Sequence, residues 1–182
     1  VGSDQVWRPA YNPRLTRCFL DFAEDLDIYR IAYAASFGTD DWEYTSKQTK
    51  ACSRLSKLFN AISVREKSAI GICKDKLGVD ATFVLDPTML LNKEDYIKIV
   101  ENSGISDSKG DLFTYILDES SEKQKFIKRV ANKLHLTPFT VMPSKSKQYI
   151  KEDIEGCICP PVEQWLRAFM DAKFVVCDSF HG

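Results

Sequence analysis

The sequence of 182 residues lacks the signatures of several functional classes. It has no apolar run long enough to span a membrane and no signal-peptide pattern. The formal net charge is −1, and neither a basic stripe nor a basic tail occurs, which argues against nucleic acid as a partner. The G-x-G-x-x-G, Walker and H-E-x-x-H motifs are also absent, so the common nucleotide-binding and zinc-protease classes receive no support.

Regularly spaced cysteines are missing as well. Among the six cysteines only Cys157 and Cys159 lie close together, as C-x-C, and no second pair completes a zinc site. This usage predicts reduced, mostly buried thiols in a cytoplasmic protein.

What the sequence does contain is the alternation of strand and helix patterns that is typical of an α/β protein. Short apolar segments each run into a polar loop, and helical patterns separate them. This alternation predicts β-α-β units and mostly parallel sheets, whose polar loops gather at the carboxyl edge. The polar loops are Gly2–Gln5, Ser36–Gly38, Arg65–Glu66, Asp86–Thr88 and Asp178–His181.

The pattern also predicts two domains. Residues 102–110 are rich in serine, glycine and aspartate, which is the composition of a linker or an exposed loop. A new β-α-β run begins near residue 111. We therefore predict an N-terminal domain over residues 1–92, a linker over residues 93–110 and the start of a second domain over residues 111–182.

Apolar periodicity predicts which residues of the second domain are buried. One helix is expected to turn Phe126, Ile127, Val130 and Leu134 inward. The apolar run Phe174–Cys177 is typical of a buried strand.

His181 is the first candidate for chemistry. It follows the run Phe174–Cys177, at the carboxyl end of a predicted strand, where open α/β sheets gather ligands. An imidazole can donate a proton near neutral pH. Position alone leaves a structural or merely exposed role open. For the other histidine, His135 at a helix end, a structural or solvated role is favoured.

Arg65 is the second candidate, because it directly follows the predicted strand Ala61–Val64 and stands beside Glu66. The planar donors of a guanidinium suit a carboxylate or a phosphate. A surface arginine paired with Glu66 is the alternative, and position alone leaves both open.

Ser3, Asp4 and Gln5 form a polar group after a predicted strand end. These residues suit hydrogen bonding to a polyol or another polar ligand, and an Asx-type turn that caps the following helix is the alternative. For Asp86-Pro87 a turn that stops the preceding strand is favoured.

Together, five motifs in this order resemble those of the polysaccharide pyruvyl transferase family. The motifs extend across almost the whole chain, and their combination is more specific than any one of them. The matching segments are Gly2–Trp7 with G-S-D-Q-x-W, Ala32–Gly38 with Y-x-A-S-F-G, Ile62–Glu66 with S-V-R-[DE], Leu85–Thr88 with D-P-T, and Asp178–Gly182 with D-S-F-H-G.

The resemblance implies a fold of two Rossmann-like parallel-sheet domains that face each other across a cleft, as in the GT-B arrangement. Family members are longer at both ends. We therefore expect the sequence to be a fragment that lacks the family's first strand and part of its second domain, and that is inactive alone.

The resemblance also implies transfer of a pyruvyl group from phosphoenolpyruvate to a sugar of a bacterial surface polysaccharide or exopolysaccharide. His181 is then the general acid or a phosphate contact, Arg65 binds the anionic donor, and Ser3, Asp4 and Gln5 contact substrate. The expected acceptor is a saccharide or a lipid-linked saccharide. This chemistry requires no metal or organic cofactor, and it is compatible with peripheral membrane association.

Ser179 departs from the family pattern. Better-studied members often carry arginine at this position, two residues before the histidine. A hydroxyl can hydrogen-bond a phosphate but cannot neutralise it, so either another cation supplies the charge or this branch uses a different donor or acceptor. Ser179 is predicted to be a substrate contact. The departure keeps two alternatives open, a GT-B glycosyltransferase that uses a nucleotide sugar and a non-catalytic carbohydrate-binding relative.

Overall fold

The computed structural model describes residues 1–143 and 159–182. Cys157, one half of the C-x-C pair, lies outside the described residues. Among the residues described, no helix combines the length and the apolar character that a membrane span needs.

The chain divides into two compact units, Val1–Leu91 and Asn92–Gly182. Each unit contains one three-stranded parallel sheet interleaved with helices. This confirms the predicted α/β class and the predominance of parallel pairing. The predicted domain limits at residues 92 and 110 stay a prediction.

The first unit alternates strands with helices and begins with two 3₁₀ helices. Its strands are ordered β1-β2-β3, and the neighbouring strands are parallel. The elements in chain order are 3₁₀ helices at Leu15–Phe19 and Asp21–Ala23, β1 (Ile31–Ala35), α1 (Ser46–Ser56), β2 (Ala61–Val64), α2 (Ser68–Ile72), a π-helical turn (Cys73–Leu77), β3 (Thr82–Phe83) and a 3₁₀ helix (Pro87–Met89).

Local signals set the ends of these helices. The Thr45 hydroxyl accepts a hydrogen bond from the Gln48 amide, and the Gln48 side-chain oxygen accepts one from the Thr45 amide; together they form a capping box at the start of α1. Gly78 follows the π-helical turn with a φ of 70°, a left-handed conformation that glycine adopts without a steric cost.

One part of the core of the first unit is an aromatic cluster that joins the N-terminal segment to the end of β1. Trp7 is fully buried and stacks on Phe19, with ring centroids 4.8 Å apart. Phe37 packs against Trp7, and the Tyr44 hydroxyl donates a 2.5 Å hydrogen bond to the Trp7 carbonyl. Because Trp7 is fixed in this way, the polar residues that precede it are held beside the end of β1.

In the second unit β4 is the central strand, because the sheet order is β5-β4-β6 with both pairs parallel. Leu112 and Phe113 of this strand are fully buried. The elements in chain order are α3 (Lys93–Ser103), β4 (Leu112–Tyr115), α4 (Ser121–Leu134), β5 (Pro138–Phe139), α5 (Val162–Asp171) and β6 (Phe174–Cys177).

Two burial predictions for the second unit are wrong in part. In α4, Ile127 is buried, whereas Phe126 and Leu134 are 47% and 41% exposed, so the inward face is narrower than the apolar periodicity suggests. Strand β6 is not fully buried, because Phe174 and Cys177 are exposed. Among the described strands β6 pairs with β4 alone, and a strand with one neighbour has less covering around its side chains.

The cysteines also differ from the prediction of mostly buried thiols. Cys52 and Cys73 are buried, and burial raises the pKa of both thiols to about 12. Cys159 and Cys177 are exposed, so the buried set lies in the first unit.

Candidate functional site

Polar side chains meet at the carboxyl edge of the first sheet. Ser36 follows β1, Arg65 and Glu66 follow β2, Asp86 lies shortly after β3, and Asp4 reaches the same place from the N-terminal segment. We call these five residues the Arg65 cluster. It lies where parallel sheets place the loops that bind ligands.

The N-terminal segment is fastened to the end of β1 by its backbone. The Ser36 amide donates to the Asp4 carbonyl at 3.2 Å, and the Trp7 amide donates to the Ser36 carbonyl at 3.1 Å. Asp4 itself has a φ of 71°, a left-handed conformation that aspartate tolerates better than most residues. The position of Asp4 is therefore set by the main chain and not by its own side chain.

A β-bulge in β1 sets the direction of the chain as it enters the cluster. The register with β2 shifts between Ala32 and Ala35, and the buried Ala34 has a φ of 53°. The Ser63 hydroxyl of β2 fills the gap, because it accepts from the Ala34 amide and donates to the Ala32 carbonyl, both at 3.1 Å. Bulges of this kind redirect a strand and often lie next to functional sites.

Arg65 is the centre of the cluster. Its side chain is only 3% exposed, and its Nη1 lies 2.9 Å from Asp86 Oδ2, whose side chain is equally buried. Its Nε lies 3.1 Å from Glu66 Oε1, and its Nη2 lies 3.6 Å from Asp4 Oδ1. A pairing with Glu66 exists, as one alternative expected, but the arginine is buried and has further carboxylate partners.

Glu66 links Arg65 to the end of β1. The same Oε1 atom that faces Arg65 accepts a 2.7 Å hydrogen bond from the Ser36 hydroxyl, and Ser36 is fully buried. The other oxygen, Oε2, is buried and has no hydrogen-bond partner among the described residues. A buried carboxylate oxygen in this state favours a donor from water or from a ligand.

Asp86 combines two roles. Its Oδ1 accepts from the Thr88 amide at 3.0 Å and from the Thr88 hydroxyl at 2.9 Å, so it caps the 3₁₀ helix at Pro87–Met89. The predicted turn at Asp86-Pro87 is thereby confirmed. The buried ion pair of Asp86 with Arg65 is the part that the sequence did not indicate.

Gln5 and Ser3 border the cluster. The Gln5 Oε1 atom accepts a 3.1 Å hydrogen bond from Arg8, and the side chain lies over Gly38, which has a φ of 70°. A Cβ atom at Gly38 would come within 2.0 Å of Gln5 Oε1, so the glycine allows this close approach. Ser3 is half-buried beside Asp4.

A second polar cluster lies at the carboxyl edge of the other sheet. Asp178 follows β6, accepts from the Leu117 amide at 2.8 Å and from Lys123 Nζ at 2.7 Å, and Lys123 also pairs with Asp118. Partial burial acts to raise the pKa of Asp178, but the hydrogen bonds from Lys123 and Leu117 outweigh it and lower that pKa to about 2. Asp178 thus ties the end of β6 to β4 and α4.

His181 and Ser179 lie in the turn that follows Asp178. The Gly182 amide donates to the Ser179 carbonyl at 3.3 Å, and the rings of Phe180 and His181 meet edge to face with centroids 5.1 Å apart. His181 is half-buried. The other histidine, His135, is exposed and ends α4 in a left-handed conformation, which agrees with the structural or solvated role favoured for it.

Of the predicted site residues, Arg65 and Asp4 lie within 3.6 Å of each other in the first unit, and His181 and Ser179 lie in the second unit. Sequence reasoning missed Ser36, Ser63 and Lys123. Ser36 and Ser63 lie inside two of the motifs named above, and this position could have indicated a role at the site. Nothing in the sequence distinguishes Lys123, because lysines on helix surfaces are common.

The geometry alone is compatible with several enzymes and binding proteins, and comparison with known proteins narrows the choice. The family model for polysaccharide pyruvyl transferase matches residues 1–182, the whole chain. The chain belongs to the polysaccharide pyruvyl transferase family. No match was found among curated proteins or among solved structures.

Membership in the polysaccharide pyruvyl transferase family confirms the resemblance carried by the five motifs, and the family is one of transferases. Each of those motifs contributes to a carboxyl-edge cluster described above. Within the described part of the chain, no group of three or more His, Cys, Asp or Glu side chains is arranged to hold a metal ion.

Proposed function

We propose that the protein transfers a pyruvyl group from phosphoenolpyruvate to a saccharide of a bacterial surface polysaccharide or exopolysaccharide. The supporting observation is the buried Arg65 at the carboxyl end of β2 in a chain that matches this family along its whole length. A guanidinium in that place suits a donor that carries both a carboxylate and a phosphate. The GT-B arrangement, a cytoplasmic location and a lipid-linked acceptor are parts of this proposal.

The reaction needs one proton donor and one anion-binding group. In our proposal His181 donates a proton to the methylene carbon of phosphoenolpyruvate, which makes the neighbouring carbon electrophilic. An acceptor hydroxyl attacks that carbon, and its proton returns to His181 as the carbon–oxygen bond forms. A second hydroxyl of the same sugar then attacks the same carbon and closes the cyclic ketal. Phosphate leaves with the bonding electron pair and takes up the proton of the second hydroxyl.

Arg65 binds the anionic donor in this mechanism, and the other predicted residues contact substrate. Ser3 and Gln5 border the Arg65 cluster and can hydrogen-bond a hydroxyl-rich ligand. Ser179 offers a hydroxyl near His181 in the sequence, where it can donate to a phosphate oxygen without neutralising it.

A non-catalytic carbohydrate-binding relative is the second candidate, and one observation favours it. Within the first unit Asp4, Glu66 and Asp86 all lie within 4 Å of the single guanidinium of Arg65. Carboxylates accept hydrogen bonds from sugar hydroxyls, but they repel an anionic donor.

Calorimetric titration with phosphoenolpyruvate tests the proposal. We expect the wild-type chain to bind phosphoenolpyruvate and the Arg65→Lys variant to bind it at least about tenfold more weakly, because lysine keeps the charge but loses the planar fork. The Arg65→Ala variant is a secondary test only. Removing one partner of a buried ion pair destabilises a protein by about 3–5 kcal/mol, so this variant can lose binding simply by unfolding. Arg54→Ala, which removes an exposed arginine from α1, is the matched control and should bind as wild type does.

The outcome that contradicts the proposal is equally direct. Unchanged phosphoenolpyruvate affinity in a folded Arg65→Lys variant, checked by circular dichroism, would remove Arg65 from the donor site. Binding of a nucleotide sugar in place of phosphoenolpyruvate would favour the glycosyltransferase alternative. Binding of saccharides alone would favour the non-catalytic relative.

A further inference from the structure

The carboxylates around Arg65 are not equivalent. Asp86 makes the short contact, 2.9 Å to Nη1, and both side chains of that pair are 3% exposed. Asp4 makes the long contact, 3.6 Å to Nη2, and its side chain is 73% exposed. Asp86 is also held by its hydrogen bonds from Thr88. One partner of Arg65 is therefore built into the interior, and the other reaches it from solvent.

Asp4 can leave Arg65 without disturbing the main chain. Its backbone is anchored independently, because its carbonyl accepts from the Ser36 amide and Trp7 follows as part of the core. Among the described residues, rotation of the side chain breaks only the 3.6 Å contact with Arg65, and it moves the carboxylate further into water. An exposed ion pair of this length contributes little to stability, so its loss is a small cost.

We propose that Asp4 is an internal competitor for the anionic group of the donor at Arg65. In the ligand-free protein the Asp4 carboxylate stands at the solvent side of the guanidinium, and a carboxylate or phosphate of the donor takes its place. Asp86 and Glu66 stay on Arg65 throughout and hold its orientation. This inference rests on the proposed function, because it assigns the donor's anionic group to the Arg65 cluster.

Electrostatics gives the competitor a defined effect on specificity. Two anions that approach the same cation repel each other, so any ligand must bind Arg65 well enough to displace Asp4. This cost is the same for every anion, so anions that bind Arg65 weakly are kept out. A donor with two anionic groups, such as phosphoenolpyruvate, has a second group whose contacts can compensate for the cost. Once displaced, the Asp4 carboxylate is free to accept a hydrogen bond from an acceptor hydroxyl, as its predicted contact with substrate requires.

The test is the Asp4→Asn variant of the full chain. Asparagine keeps the shape of the side chain and tolerates the left-handed φ of 71°, so the main chain is preserved while the charge is removed. We expect phosphoenolpyruvate to bind roughly three- to tenfold more tightly than to wild type, because displacement no longer opposes binding. Inorganic phosphate and pyruvate are titrated separately, and the larger gain identifies which of the donor's two groups occupies the place of Asp4.

Two controls isolate the effect. Glu43→Gln removes a carboxylate that pairs with Arg8, 3.1 Å away, and leaves the Arg65 cluster intact, so it measures the general effect of one lost negative charge. The double variant Asp4→Asn with Arg65→Lys should show a much smaller gain than Asp4→Asn alone, because the competition takes place on Arg65.

The outcomes separate this inference from the proposed function. Equal or weaker phosphoenolpyruvate binding by Asp4→Asn, with normal binding by wild type, overturns the competitor role and leaves the donor assignment standing. An equal gain in Glu43→Gln also overturns it. Absence of phosphoenolpyruvate binding in wild type and in Asp4→Asn contradicts the proposed function and the inference together.

Discussion

At the scale of single residues, two main-chain conformations at the Arg65 cluster and the bulge beside it are ones that these residue types rarely adopt. Asp4 and Ala34 both have a positive φ; the Asp4 carbonyl is held by the Ser36 amide, and the Ala34 amide is held by the Ser63 hydroxyl. A left-handed alanine costs about 1–2 kcal/mol, so the surrounding contacts must compensate for it.

Ser63 supplies much of that compensation at Ala34. We expect Ser63→Ala to destabilise the first unit by about 2 kcal/mol, because the Ala34 amide would lose its acceptor in a buried place. Urea unfolding followed by the fluorescence of the tryptophans measures the change. Ser53→Ala is the matched control, since the Ser53 hydroxyl makes a single hydrogen bond to the Leu77 carbonyl, and its cost should be smaller. An equal cost for both variants would argue against a special role for Ser63.

At the scale of elements, the sequence indicated two of the strands well. The apolar segments predicted β2 at Ala61–Val64 and β6 at Phe174–Cys177, which are the observed bounds. These features depend on a local apolar pattern, which the residues carry with them.

The same approach failed where burial depends on distant partners. Phe126 and Leu134 follow the helical period yet remain exposed, because periodicity specifies a face and not how much of it is covered. In the candidate site, Arg65 and Asp86 were recognised as separate strand ends, but nothing in their spacing indicated that they form a buried ion pair. Such a pairing depends on the strand order, which a single sequence does not specify.

Asp178 joins elements of the second unit and should make its stability depend on pH. The folded-state pKa of about 2 lies below that of a free aspartate. The stabilisation is therefore present above about pH 4 and is lost as the pH falls through about 2. Discounted for solvent screening, it amounts to about 1 kcal/mol.

The Asp178→Asn variant checks this linkage. At pH 7 it should be less stable to urea by about 1 kcal/mol, and the difference from wild type should shrink towards pH 2. Asp27→Asn, at an exposed aspartate of the first unit, measures the general effect of removing one negative charge. A difference between Asp178→Asn and wild type that stays constant from pH 7 to pH 2 would count against the linkage.

At the scale of the whole molecule, positive and negative charges nearly cancel. The net charge is −1 and the isoelectric point is about 6.2, while several large apolar side chains are exposed near the end of the first unit. Low net charge together with exposed apolar surface favours self-association. The exposed apolar residues are Phe83, Leu85, Met89, Leu90 and Leu91.

We therefore expect solubility to be lowest near pH 6 and to rise towards pH 8, as the net negative charge grows. Dynamic light scattering across this range, at constant ionic strength, measures the change in particle size. A size that does not vary between pH 6 and pH 8 would show that charge does not limit association.

The bulge at Ala34 also bears on the order of events during folding. Its two hydrogen bonds to Ser63 span 29 and 31 residues of chain, so they cannot form while β1 is still alone. In an isolated β1 segment nothing compensates for the cost of a left-handed alanine, so the segment would adopt the regular extended conformation. The turn of the chain into the Arg65 cluster is therefore acquired only when β2 arrives, since the entropy of closing the intervening loop must be overcome first. A nascent chain from which β1 but not β2 has emerged contains Asp4 and Ser36 of the Arg65 cluster, but it lacks both the bulge and the arginine.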